Sequence, residues 1–271
     1  MPELPEVETS RRGIEPYLLQ QEITAVLIRN PQLRWPIPRT LNNKLEGKTI
    51  QAINRRGKYI LIKIEKGSLI LHLGMSGSLR ISDPATAFRK HDHFILTFNN
   101  NKQLRLHDPR RFGAVLWQTG NPLKHPLLAK LGPEPLSDKF NTDYLYKTCR
   151  NRKASIKQHI MNSHIVVGVG NIYASEALFL AGIHPKRAAG RISKHRIEKL
   201  VAANKQILNA AIKQGGTTLR DFVREDGQPG YFKQWLNVYG KTDDPCPECG
   251  NLIKQITLGQ RSTFYCPKCQ H

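Results

Sequence analysis

Between Glu22 and Trp117 the chain alternates short apolar runs with glycine, asparagine and charged punctuation: EITAVLI, KYILIKI, SLILHLGM, HFILTF, QLRLHD and GAVLW. β-Branched runs of this length and spacing predict an antiparallel sandwich or barrel. Ahead of them, residues 5 to 18 carry a helical pattern, with Pro5 in the first turn, acids at the N-terminal end, and Leu4, Val7, Ile14 and Leu18 placed to pack. LGPEPLSDKF, residues 131 to 140, sets two prolines and a glycine after the strand-rich part, and an interdomain linker is expected there. Three helical stretches follow. The longest aligns Ile197, Leu200, Val201, Ile207, Leu208, Ala211 and Ile212 on one face and stops at Gly215 and Gly216.

Composition turns this pattern into a two-domain expectation, because 271 residues at 39% hydrophobic content can fill two modest cores. Forty-two Lys and Arg against 21 Asp and Glu leave a net charge of +21. That exceeds the magnitude of about 2 to 8 that suits a small domain, and points to a polyanion such as nucleic acid or an acidic membrane. No run approaches the roughly 18 apolar residues of a membrane span, and the N-terminus lacks the basic-then-apolar order of a signal peptide. The expectation is therefore a cytoplasmic protein with no membrane partner.

Four of the five cysteines fall in the last 26 residues, as Cys246-Pro-Glu-Cys249 and Cys266-Pro-Lys-Cys269 with 16 residues between the pairs. Two such knuckles can offer four thiolates tetrahedrally to zinc, and four protein ligands leave no open position, so the metal is expected to be structural. Two disulfides fit poorly with a reducing compartment. Cys149 stands alone and reads as a structural thiol.

Three further stretches carry candidate chemistry. LGQRSTFY puts Arg261 at the tip of the zinc loop, suited to a phosphate or simply solvated. The run from Val166 to Pro185 joins a glycine-rich turn, GVGN, to a helix starting near Asn171, where backbone N–H groups attract phosphate. Residues 215 to 231 have the composition of a loop able to close over a ligand, or of a plain connector. The opening MPELPEVETS is the least expected, since it places Glu3, Glu6 and Glu8 at the start of a strongly basic chain. Methionine followed by proline is commonly clipped, which would leave Pro2 as a free secondary amine.

MPELPEVET, HLGMSG, HDPRRFG, GVGNIYASEALF and the terminal knuckles occur in an order that closely resembles the bacterial formamidopyrimidine-DNA glycosylase family over essentially the whole chain. The resemblance implies an α+β multidomain protein. Its parts would be an N-terminal antiparallel β-sandwich catalytic domain over 1–131, a linker over 132–149, a helical DNA-binding domain with a helix-two-turn-helix and lesion loop over 150–240, and a zinc finger over 241–271. It also implies a monomer acting on double-stranded DNA that contains oxidised purines (8-oxoguanine, formamidopyrimidines) or abasic sites. Such an enzyme is both glycosylase and lyase, releasing the base and cutting the strand by β,δ-elimination.

The motifs carry roles with them. Pro2 would be the amine nucleophile, forming an iminium at the anomeric carbon, and Glu3 the acid that protonates the sugar oxygen. Glu6 would support them, and Glu8 is left as a helix N-terminal acid. Lys58 would contact the flanking phosphate and assist β-elimination, and Arg261 would bind phosphate and assist δ-elimination. Met75, Arg110 and Phe112 would fill the void left by the extruded base. His91, Arg110, Arg152 and Asn171 would contact DNA, and Cys246, Cys249, Cys266 and Cys269 would hold one zinc ion. His164 stands where some relatives carry a lysine implicated in recognising the oxidised base. Two rivals stand beside this reading: the endonuclease VIII type, which prefers oxidised pyrimidines and usually opens MPEGPE, and a non-enzymatic zinc-ribbon DNA-binding protein.

Overall fold

A computed structural model of the chain describes residues 1–216 and 235–271. Two compact units divide it, the first formed by 1–129 with 214–233 and the second by 130–213 with 234–271.

The first unit opens with helix α1 (Leu4–Leu18) and continues through β1 (Glu22–Ile28), α2 (Leu41–Leu45), β2 (Lys48–Thr49), β3 (Ala52–Arg56), β4 (Tyr59–Ile64), β5 (Gly67–His72), β6 (Ser78–Ser82), β7 (Asp92–Phe98), β8 (Gln103–His107), β9 (Ala114–Thr119) and α3 (Pro126–Ala129). The strands form two antiparallel sheets, ordered β2-β1-β7-β8-β6 and β3-β4-β5-β9. Alternate residues explain the sandwich. Ile60, Ile62 and Ile64 of β4, Leu69 and Leu71 of β5, and Phe94, Leu96 and Phe98 of β7 share one buried cluster. Val7, Ile14 and Leu18 of α1 belong to the same cluster, and the helix packs on β3, β4 and β6.

The second unit carries α4 (Thr142–Cys149), α5 (Ile156–Met161), α6 (Asn171–Leu180), α7 (Lys194–Lys213) and the hairpin of β10 (Lys254–Leu258) with β11 (Arg261–Tyr265). Its α6 is buried along nearly its whole length and packs on α5, α7 and β11. Phe179 of α6 shares a small cluster with Val238, Cys246, Ile253, Phe264 and Cys266.

Several expectations change on contact with the structure. The stretch expected as linker over 132–149 ends in α4, which packs on α7 and so belongs to the second unit. Four helices, not three, follow the change of unit among the described residues. SLILHLGM is not one strand, because β5 ends at His72 and Gly74 turns the chain at φ +63°. The zinc segment keeps its own hairpin and also shares the second unit's contacts. The loop expected over 215–231 lies, from residue 217 on, outside the described residues. Cys149 is buried, and burial pushes its thiol up to about 11, which keeps it an inert structural thiol.

Candidate active site and DNA-contacting surfaces

The acids at the chain start are told apart by their partners. Glu8 is clamped by three guanidiniums, from Arg12 (2.8 Å), Arg55 (3.0 Å) and Arg11 (3.0 Å). Burial pushes its carboxyl up, but hydrogen bonds from Arg11 and Arg12 and the charges of Arg11 and Arg55 outweigh it, so the pKa is lowered overall. Glu8 therefore ties α1 to β3. Glu3 and Glu6 are engaged with each other: Glu3 is the N-cap of α1, and its N–H donates to Glu6 Oε2 at 2.9 Å in a capping box. Both are nearly fully buried, as is Pro2 beside them. Gly216 backs onto Glu6 so closely that an added Cβ would lie 3.1 Å from Oε1. A buried pair of carboxyls thus sits at the first residues of the chain, next to a proline whose nitrogen is an amide while Met1 remains.

Lys58 occupies the two-residue turn between β3 and β4, because Arg56 pairs with Tyr59 and leaves Gly57 and Lys58 as the loop. Gly57, at φ +57°, supplies the left-handed position that such hairpins require. His72, at the end of the adjacent β5, packs against Tyr59 with ring centres 4.8 Å apart and tilted by 47°, and accepts the Gly74 N–H on Nδ1. Its burial, together with the charges of Lys58 and Arg34, pushes its pKa down to about 4. The imidazole is neutral at pH 7 and offers Nε2–H as a donor. His72 lies within HLGMSG, where nothing in the string distinguishes it from a strand residue.

Met75, Arg110 and Phe112, drawn from two distant stretches of sequence, line one open groove of about 590 Å³ with Gln32, Leu33, Arg34 and Arg111. Phe112 is an exposed aromatic, with the Arg110 guanidinium 5.2 Å from its ring centre. Arg34 rests on the Trp35 ring at 4.7 Å. His91 lies near the ring of His93 (5.8 Å) and that of His107 (5.9 Å). Such a groove, lined by both apolar and cationic side chains, can take up a base-sized gap and an anionic backbone together.

In the second unit Arg261 opens β11, directly after a Gly259-Gln260 turn in which both residues have positive φ. Asn171 Nδ2–H donates to the Ser262 carbonyl at 2.9 Å, so the start of α6 and the hairpin strand are brought together. Lys157 of α5 completes this junction. Although an ammonium, it is almost fully buried, donating to Asn171 Oδ1 (2.7 Å), Thr263 Oγ1 (2.8 Å) and the Ser262 carbonyl (3.3 Å). Sequence reading missed it, because a lysine on a short helix of a basic chain reads as solvated. Arg152 is exposed on the separate Asn151–Arg152 turn, whose carbonyl accepts the Gly190 N–H. His164 is exposed too, with Nδ1–H donating to the Lys130 carbonyl at 2.7 Å.

Glu176, in the middle of α6, was also missed. Fully buried, it accepts four N–H groups from Asn237, Val238 and Tyr239, and so anchors the segment entering the cysteine hairpin. The four cysteine sulfurs lie within 4.8 Å of one another, with pairs at 3.5 Å and 3.9 Å and no disulfide. Tetrahedral zinc with Zn–S near 2.3 Å requires S···S of about 3.8 Å, so the donor set fits. Bound there, a structural zinc holds the two knuckles together while Cys266 Sγ accepts the Cys269 N–H.

A two-sheet unit with buried acids at its first helix, and a helical unit with a four-cysteine hairpin, define a DNA-processing enzyme that carries a zinc ribbon. Comparison with known proteins agrees. Residues 1–115 match the formamidopyrimidine-DNA glycosylase N-terminal domain, 131–223 the H2TH domain of the same enzyme, and 243–271 the zinc finger found in FPG and IleRS. The formamidopyrimidine-DNA glycosylases of Thioalkalivibrio sulfidiphilus and Marinobacter nauticus are 59% and 56% identical over the whole of both chains. Among solved structures, a Lactococcus lactis FPG mutant with Fapy-dG DNA matches at 36% identity and TM-score 0.93 over 99% of each chain. MutM (FPG) from Thermus thermophilus matches at 35% and 0.89, covering 99% of this chain and 98% of its own. The chain belongs to the formamidopyrimidine-DNA glycosylase family. It is accordingly a DNA glycosylase of base excision repair, from a glycosylase/lyase enzyme family, with a structural zinc.

Proposed function

We propose that this enzyme excises oxidised purines, 8-oxoguanine and formamidopyrimidines, from duplex DNA through an iminium on Pro2, and then cuts the strand by β,δ-elimination. The observation that carries this reading is the buried Pro2-Glu3-Glu6 cluster, set apart from the arginine-clamped Glu8. Once Met1 is removed the Pro2 nitrogen becomes a secondary amine. Terminal amines titrate near 8, so a useful fraction is unprotonated at neutral pH without the strong activation a lysine needs. Attack on the anomeric carbon expels the base and gives an iminium whose charge needs no further proton. Glu3 supplies the proton that the ring oxygen takes up as the sugar opens, and Glu6, bonded to the Glu3 N–H, fixes that carboxyl's helix start.

Lys58, from its turn, contacts the flanking phosphate and assists β-elimination, while Arg261 binds phosphate and assists δ-elimination. Met75, Arg110 and Phe112 fill the gap left by the extruded base, Arg110 meeting the orphaned partner. His91, Arg152 and Asn171 hold the backbone, contacts that set position and affinity and not base choice. The protein works as a cytoplasmic monomer. Leu4, where the endonuclease VIII type usually has glycine, and the groove built from HLGMSG and HDPRRFG favour the purine branch; a DNA-binding protein without catalysis would have no use for a buried acid pair beside Pro2.

Product analysis tests this. Duplexes carrying 8-oxoguanine or an oxidised pyrimidine are each incubated with the protein, and the released base and both strand ends are identified. Release of 8-oxoguanine with phosphate at both ends of the gap is expected. Preferential release of the pyrimidine, or binding without release, would contradict it.

A further inference from the structure

Met75 and the Arg110–Phe112 segment come from different loops, yet a wedge works only if its parts hold a fixed separation. The structure joins them through one buried carboxylate. Asp108 is fully buried, Oδ2 accepts the Gly113 N–H at 2.7 Å, and Oδ1 accepts the Ser76 hydroxyl at 3.3 Å. Ser76 follows Met75 and Gly113 follows Phe112, so each oxygen holds the residue next to a groove side chain. The Asp108 main chain reaches further: its N–H donates to the His91 carbonyl (2.9 Å), and its carbonyl accepts His93 Nε2–H (3.0 Å) and Arg111 N–H (3.2 Å). Gly74 presses directly on the second loop, where an added Cβ would collide with the Phe112 carbonyl carbon.

We infer that Asp108 is a positioning residue for the void-filling wedge, locking the Met75 and Arg110–Phe112 loops, and through its main chain the His91 segment, into one rigid body that enters duplex DNA as a unit. The inference rests on the void-filling reading proposed above. Without the carboxylate, a buried Gly113 N–H and the Ser76 hydroxyl lose their partner, and the two loops are free to separate by the small displacements that spoil a preorganised constellation. The consequence is confined to steps that need a wedge. Opening a duplex does; cleaving an abasic site in single-stranded DNA, where no partner base is orphaned, does not.

The full-length enzyme is assayed on two substrates: a duplex with 8-oxoguanine opposite cytosine and 2-aminopurine beside the lesion, and a single strand with a preformed abasic site. For Asp108→Ala, single-turnover excision from the duplex is expected to fall by about tenfold or more, while single-strand cleavage stays within about twofold of wild type. The 2-aminopurine rise that reports unstacking should shrink in parallel. Asp108→Asn, whose amide oxygen can still accept the Gly113 N–H, should recover most of the loss, and Ser76→Ala should slow duplex excision by about fivefold. If Asp108→Ala does not fold, the Asn and Ser76 variants decide by the same pair of substrates. Unchanged duplex excision, or equal loss on both substrates in the folded variants, would overturn the role of Asp108. Wild-type protein inactive on both substrates would instead overturn the functional reading itself.

Discussion

The groove of the first unit and the hairpin of the second both present an arginine to solvent, Arg110 and Arg261, but they are supported by different physics. Arg110 stands on a loop between strands of a large apolar cluster, braced from beneath by hydrogen bonds to Asp108. Arg261 stands on a two-stranded hairpin whose cluster is small, and whose support is four cysteines, the buried Lys157 ammonium and the Glu176 carboxylate. A sandwich can rest a loop on a large apolar core and fix it with one buried carboxylate. A segment of some thirty residues cannot, and it turns to metal and buried charge.

The largest effect should come from breaking the metal. Cys249→Ser or a strong chelator should release one equivalent of zinc and remove several kcal/mol of local folding energy. Amide protection in β10 and β11 should vanish while β4, β5 and β7 keep theirs, and DNA affinity should fall. Protection retained in the metal-free hairpin would erase the contrast.

Next is the ionic clamp of the first unit. Glu8→Ala removes the carboxylate shared by Arg11, Arg12 and Arg55, although Arg11 keeps Glu15 at 2.8 Å, and should cost about 1 to 3 kcal/mol in denaturant unfolding. The pH dependence has a definite sign. The folded pKa of Glu8 is lowered below its unfolded value near 4.3, so its contribution is complete above that value and disappears as pH falls through the lower folded pKa. Asp92 is lowered in the same direction, with burial opposing and the hydrogen bonds from His107 and the Arg89 N–H prevailing. Acid unfolding of wild type should therefore steepen below about pH 4, and the Glu8→Ala protein should lose part of that slope.

Salt titration separates charge from wedge. Lys58→Ala and Arg261→Ala should each lower the log-log salt slope of binding by about 0.9, whatever base is present. Phe112→Ala should leave the slope unchanged and weaken lesion DNA selectively. The smallest effect is expected at the hairpin tip, where Gln260 holds φ +60° and Gln260→Gly should stabilise by about 1 kcal/mol or less.

The sandwich was legible because the apolar runs of β4, β5 and β7 are nearly continuous and set off by glycine, asparagine and charged residues, and the zinc site because CxxC spacing is stiff. The short β2, and β3 and β6, were missed: AINRR and SLRIS put few apolar residues on the core side and read as punctuation. α4 was missed behind the prolines of the expected linker, its start marked only by the Asn141 side chain accepting the Tyr144 N–H. Among site residues, motif resemblance supplied those expected to touch DNA. What it could not supply were Asp108, Lys157 and Glu176, buried charges whose purpose appears only when their partners, distant in sequence, are in place. A lone Asp, Lys or Glu has no sequence pattern that announces burial.

The central claim is that the chemistry begins at the second residue of the chain. Borohydride reduction of the enzyme with an 8-oxoguanine duplex, followed by mass analysis of the N-terminal peptide, tests it most directly. The account predicts a covalent DNA adduct on Pro2 in protein lacking Met1, and none in protein that retains it. An adduct on Lys58 or another amine, or full trapping with Met1 in place, would contradict it.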